Sequence, residues 1–235
     1  LASDLRSVLT IVTALASVPA LATVPASSRA PSAGAGATGG IRGQVVATDP
    51  GPPPARPRVA DLAGVPHDPV DRRRSVVFID SWTHQAFEGV KPGRARLDQR
   101  GQQFIPRVLA ITVGTTVELP NNDTTFHNAF SLAPSRTFDL GRYPPGRTKS
   151  VRFDQPGIVP VFCDIHSHMN AYVLVFSHPF FAVTDEAGRY TISGVPAGTY
   201  VLAIWSELGR AAKRPITVVD GEVVEAPFQL TRGKS

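Results

Sequence analysis

Cysteine and methionine each occur once in the 235 residues, and tryptophan twice. A single cysteine excludes an internal disulfide, so no covalent staple can hold this fold. After the first thirty residues no apolar run approaches the roughly 18 residues that a membrane-spanning helix needs. Histidine is also sparse, with six copies. Charge of either sign is scattered: 24 Lys and Arg face 19 Asp and Glu, and Arg72, Arg73 and Arg74 form the only basic run. A run that short reads as a solvated turn, and no nucleic-acid groove is expected.

Glycine and proline are plentiful, at 20 and 22 copies, and they separate short runs of Val, Ile, Thr, Tyr and Phe. That pattern favours strands and turns over long helices and predicts an all-β protein. At the start, Arg6 is followed by an apolar stretch from Val8 to about Val24 and by the small-residue segments Ala20-Leu21-Ala22 and Val24-Pro25-Ala26. This reads as a secretory signal peptide over residues 1–26, with export to the periplasm or beyond the cell as the expected location. Because position 1 is Leu and not Met, an upstream truncation or a non-standard start codon is also expected. Residues 27–40, SSRAPSAGAGATGG, have nothing to bury and read as a flexible linker.

Order is expected from Ile41. IRGQVVAT and SVVFID are strand candidates within residues 41–93. Residues 94–177 hold VLAITV, TTVELP, HNAFSL, KSVRFD, IVPVFC and AYVLVF, the rhythm of a β-sandwich. Residues 178–235 add FFAVTD, GRYTISG, TYVLAIW, RPITVV and VVEAPFQL.

The chemistry concentrates in Cys163-Asp164-Ile165-His166-Ser167-His168-Met169. The only methionine falls six residues after the only cysteine, a placement that chance would give roughly once in two hundred. A loop of this kind can bring a thiolate, an imidazole and a thioether to one ion. Soft sulfur with two imidazoles and a weak axial thioether is the ligand set of a blue copper site. One more imidazole must come from elsewhere, and His127 is best placed, at the end of the TTVELP strand and the polar turn Asn121-Asn122-Asp123. His168 either shares the ion or sits exposed on the loop, and exposure is the expectation. His67, His84 and His178 are expected at the surface.

With these residues in view, residues 94–177 resemble a cupredoxin of the plastocyanin and amicyanin type, notably the plastocyanin-like proteins named for methylamine utilisation. The likeness runs through FIPRVLAITVGTTVELPNNDTTFHNAFSL and FDLGRYPPGRTKSVRFDQPGIVPVFCDIHSHMNAYVLV. It implies a Greek-key β-sandwich holding one copper ion per chain. His127, Cys163 and His166 would form the trigonal plane, with Met169 axial. Asn128 would donate its backbone N–H to the cysteine sulfur. Two positions depart from the family. Ile165 stands where proline usually precedes the second histidine, which frees an N–H for the thiolate. Asp164 replaces a small hydroxyl residue and adds negative charge. The two effects on the potential oppose each other.

TDEAGRYTISGVPAGTYVLAIW resembles a second family, the carboxypeptidase regulatory-like or transthyretin-like β-sandwich. That family opens on strands such as GQVV and SVVFID, which here lie far upstream, so insertion of the copper domain into the second sandwich is expected.

The function that follows is single-electron transfer by an exported type 1 copper protein, not catalysis. Multicopper oxidases would need about eight further histidines, more than the chain contains. A red-copper or type 2 enzyme requires Met169 to be unbound, and a structural or adhesive module requires a merely buried thiol. Zinc accepts two His and one Cys but not ordinarily a thioether, and copper outranks it in affinity. Nine basic and six acidic side chains in residues 94–177 suggest a redox partner with an acidic face, by analogy a cytochrome or a quinoprotein dehydrogenase.

Overall fold

The computed structural model describes residues 38–48, 74–81, 92–207, 209 and 212–231. The expected signal peptide, most of the linker, His67 and His84 lie outside the described residues. Strands β1 (Thr38–Thr48) and β2 (Ser75–Ser81) come first. They are followed by β3 (Arg94–Arg96), β4 (Asp98–Arg100), β5 (Gln103–Ile105), β6 (Val108–Thr112), β7 (Thr115–Pro120) and β8 (Phe130–Ala133). Next are β9 (Arg136–Asp139), β10 (Thr148–Phe153), β11 (Gly157–Phe162) and β12 (Asn170–Phe176). The chain closes with β13 (Phe181–Val183), β14 (Arg189–Pro196), β15 (Gly198–Ser206), β16 (Ala212–Val218), β17 (Val223–Glu225) and β18 (Phe228–Thr231). The protein is all-β, and among the described residues no helix is long and apolar enough to cross a membrane.

Strands β3 to β12 make one sandwich. One sheet runs β10-β7-β3 and the other β6-β12-β11-β8-β9. Its core holds Leu97, Phe104, Val117, Leu119, Phe153, Val159, Val161 and Val173 together with Cys163 and Met169. Strands β1 and β2 pair with strands from the other end of the sequence. β1 joins β14, β17 and β18, and β2 lies between β13 and β15. These two sheets enclose a second core of Ile41, Val77, Ile79, Tyr190, Ile192, Leu202, Ile204 and Phe228.

The two sandwiches meet because four strands are apolar on both faces. In β12, Ala171, Val173 and Val175 point into the first core, while Tyr172, Leu174 and Phe176 point the other way. In β6, Leu109 and Ile111 alternate in the same manner with Val108 and Ala110. Across from them, Val76 and Phe78 of β2 and Trp205 of β15 present the outer face of the second sandwich. A period of two with apolar residues at both phases is the signature of a strand buried on both sides. Full burial of each such side chain is worth about 1.5–3 kcal/mol.

Three local readings differ from expectation. β1 starts at Thr38, not Ile41, so the end of the expected linker is strand. Gly39 has to be glycine there, since a Cβ would lie 2.5 Å from the Val219 carbonyl oxygen. VVEAPFQL splits into β17 and β18 around Pro227, which has no N–H to donate. Opposite the break, a Cβ on Gly43 would sit 2.5 Å from the Ala226 carbonyl oxygen. Finally, Arg74 is half-buried, with its guanidinium donating to the Thr184 carbonyl at 2.8 Å, and not a solvated turn residue.

Candidate metal centre

His127 belongs to the segment expected as a strand, HNAFSL, but β8 begins only at Phe130. Residues 127–129 instead form a loop held by an isolated antiparallel bridge between His127 and Tyr143, with N–H to carbonyl bonds of 3.2 and 2.8 Å. Asn121, fully buried, organises the approach. Its side-chain amide donates to the Thr125 and Tyr143 carbonyls, and its Oδ1 accepts from the Asp123 N–H. A short polar side chain closing a loop on its own backbone is a common turn device.

The second part of the site is the loop between β11 and β12. Cys163 N–H donates to the Met169 carbonyl at 3.2 Å, and Met169 N–H donates to the His166 carbonyl at 2.9 Å. These bonds fold Cys163 to Met169 back on itself. Cys163 and Met169 are both buried in the first core.

Together the two loops bring donor atoms of His127, Cys163 and His166 within 4.8 Å of one another. His168 is not part of this group. It is half-buried, not exposed as expected, with its ring centroid 6.0 Å from that of His166. The Cys163 Sγ to His166 Nδ1 distance is 3.9 Å. Two ligands of one ion, with bonds near 2.3 Å to sulfur and 2.0 Å to nitrogen, stand about 3.5–3.7 Å apart at tetrahedral to trigonal angles.

His127 and Cys163 are prepared by their surroundings. Asp123 Oδ2 lies 2.9 Å from His127 Nε2, which leaves the buried Nδ1 of His127 with no hydrogen bond. A buried nitrogen left bare in this way costs free energy unless something binds it. Burial pushes the His127 pKa down, but the adjacent Cys163 sulfur and Asp123 carboxylate outweigh it and raise it above its usual value. Burial pushes the Cys163 thiol up. The His127 side chain and the backbone N–H groups of Asn128, Ile165 and His166 more than reverse this and bring it down to about 6. The sulfur is thus held ready as a thiolate, the form that binds metal. The donor set, its spacing and its bare nitrogen all fit a soft or borderline metal ion.

Other expected residues fall into place around this centre. Asn128 anchors its side chain by donating from Nδ2 to Asp139 Oδ1 at 3.1 Å. Asp164 pairs with Arg142 at 3.1 Å, so its negative charge is offset locally. Ile165 is exposed, and Phe130 packs against Phe162 with ring centroids 5.9 Å apart. His178 corrects its surface assignment. It is buried, with Nε2 donating to the Ile79 carbonyl at 2.8 Å and Nδ1 accepting the Phe180 N–H at 3.1 Å. The sequence reading missed Asp123 as the partner of His127. Its place four residues before a candidate ligand was the available signal.

No family model and no curated protein matches the chain. Solved structures similar to part of it include a purple cupredoxin from Nitrosopumilus maritimus, 23% identical with a TM-score of 0.33, covering 35% of this chain and 99% of that one. A mutant of amicyanin in its oxidised form is 20% identical with a TM-score of 0.33, covering 34% of this chain and 80% of that one. A copper-containing nitrite reductase from Thermus scotoductus SA-01 is 27% identical with a TM-score of 0.34, covering 48% of this chain and 27% of that one.

Proposed function

We propose that this chain is a mononuclear type 1 copper protein that passes single electrons between redox partners. The observation that carries the reading is the buried Cys163 sulfur, lowered to about 6 and grouped with two imidazoles whose donor atoms all lie within 4.8 Å. His127, Cys163, His166 and the Met169 thioether would hold one copper ion per chain. Copper would supply a one-electron couple there, tuned by the thioether and by hydrogen bonds to sulfur. Asp123 fixes the tautomer and orientation of His127. The backbone N–H groups of Asn128, Ile165 and His166 face the Cys163 sulfur and would hold it in place.

His166 is only half-buried, while His127 is fully buried. The exposed edge of His166, next in sequence to the exposed Ile165 and with Phe130 as a further candidate for an apolar patch, is therefore the exit we assign to electrons. The basic excess of the copper sandwich supports a partner with an acidic face, such as a cytochrome or a quinoprotein dehydrogenase, and export to the periplasm or beyond remains part of the proposal. The second sandwich we read as a carboxypeptidase regulatory-like module. Protein loaded with copper should bind one ion per chain and show an intense thiolate-to-copper band in the visible. Cys163→Ser should lose that band, and a colourless or multi-copper wild type would defeat the reading.

A further inference from the structure

Arg107 and Glu207 are 100 residues apart in sequence and belong to different sandwiches, yet they form a two-pronged ion pair. Arg107 Nε donates to Glu207 Oε2 at 2.8 Å and Nη2 to Oε1 at 2.6 Å. The side chains are only 12% and 19% exposed, well out of reach of the screening that weakens surface pairs. Glu207 follows the end of β15, and Arg107 precedes the start of β6.

The same arginine grips the end of the metal loop. Its Nη1 donates to the Asn170 carbonyl at 3.1 Å, and its own carbonyl accepts the Tyr172 N–H at 2.8 Å. Asn170 directly follows Met169. A second contact reaches the same place: the Trp205 ring, two residues before Glu207, packs on Tyr172 with centroids 5.0 Å apart. The end of β15 thus holds the start of β12 both by charge and by aromatic packing.

We propose that the Arg107–Glu207 pair makes the second sandwich a positioning element for the metal loop, holding the Asn170 carbonyl and with it the Met169 thioether. This rests on the copper reading of the site. The guanidinium, anchored on Glu207, holds the Asn170 carbonyl on one side of Ala171, while the Arg107 main-chain carbonyl holds the Tyr172 N–H on the other, and the side-chain hold is the one that keeps Met169 from drifting along β12. When that hold is removed, Met169 should donate less well. The more strongly coordinated Cu(II) state loses more from this than Cu(I), and the potential should rise.

The test uses the full chain with Glu207→Gln, and with Arg107→Met combined with Glu207→Leu, which leaves no unpaired buried charge if the single variant fails to fold. Two readouts are taken. Amide hydrogen exchange on metal-free protein compares Met169 with Val151, a core amide in the sheet of β7 and β10. The potential and visible spectrum are measured on copper-loaded protein, where a tenfold loss of Cu(II) over Cu(I) affinity is ~59 mV. The proposal requires faster exchange at Met169 with Val151 unchanged, together with a raised potential. Lys213→Ala, which breaks the Lys213–Asp80 pair of the second sandwich, should move neither. Folded variants with unchanged Met169 exchange and potential would overturn it, as would equal acceleration at Met169 and Val151, the mark of a merely structural pair. Selective acceleration at Met169 in a protein whose wild type takes up no copper would support the positioning role and sink the copper reading instead.

Discussion

Asp123 Oδ2 lies 2.9 Å from His127 Nε2, and the imidazole between this carboxylate and the Cys163 sulfur is fully buried. The carboxylate settles which nitrogen carries the proton, and the other is turned over to whatever the site binds. Burial pushes the Asp123 carboxyl up, but N–H groups of Gln102 and Thr124 and the His127 ring outweigh it and hold it below its usual value. Asp123 therefore stays an acceptor throughout the neutral range.

Removing that carboxylate should loosen His127 without removing a ligand. Asp123→Ala is expected to lower metal affinity by about 10- to 100-fold while keeping a visible band. A competition titration against a chelator reads this directly. Unchanged affinity would show that His127 is fixed by its backbone bridge to Tyr143 alone.

The two histidines of the loop should separate cleanly. His166 contributes to the donor group and His168 does not. His168→Ala should retain the visible band, and His166→Ala should lose it or change it grossly. The opposite outcome would transfer the ligand role to His168.

His178 gives the stability a pH dependence that is independent of the metal. Burial pushes its pKa below the ordinary 6.5, against the opposing effect of the Ile79 carbonyl. The unfolded chain then binds the proton more readily than the folded one, so this contribution is fully present above about pH 6.5 and is lost as pH falls through the lower folded value. Thermal unfolding of metal-free wild type and His178→Gln between pH 8 and pH 5 should show the advantage of the wild type shrinking towards acid. A constant difference across that range would exclude His178 as the source.

The apolar seam between the sandwiches should carry real stability. Leu174 is 2% exposed and sits with Val76 and Val108 between β12 and β2. Leu174→Ala is expected to cost about 2–5 kcal/mol in chemical denaturation. A loss below about 0.5 kcal/mol, the range of ordinary surface substitutions, would mean the seam is loosely packed.

An acidic partner should be recognised by its salt dependence. Stopped-flow reduction should slow as ionic strength rises, because the Debye length contracts to about 8 Å at physiological salt. A rate that is flat or rises with salt would remove the acidic-partner proposal and leave the metal site untouched.

Much of this was legible in the chain itself. AYVLVF and SVVFID are apolar at both phases of a period of two, and both became strands buried on two faces. Cys163, His166 and Met169 are near neighbours in sequence, so a single tight loop suffices to gather them. HNAFSL misled because its composition suits a strand, while the bridge to Tyr143 and the Asn121 side chain hold its first residues in a loop. His178 misled because a proline next to it resembles a surface turn, whereas the Ile79 carbonyl and Phe180 N–H supply it with buried partners.

The amino-acid sequence by itself determined the all-β class, the strand phases and the compact Cys163–Met169 loop, because each depends on backbone periodicity or on residues close together in the chain. Tertiary structure alone decided that Tyr143 would bridge His127, that Arg107 would hold the Asn170 carbonyl, and that Glu207 would reach Arg107. Those contacts join segments that the chain order leaves apart, and they form only once strand pairing and sheet packing have fixed which segments lie side by side.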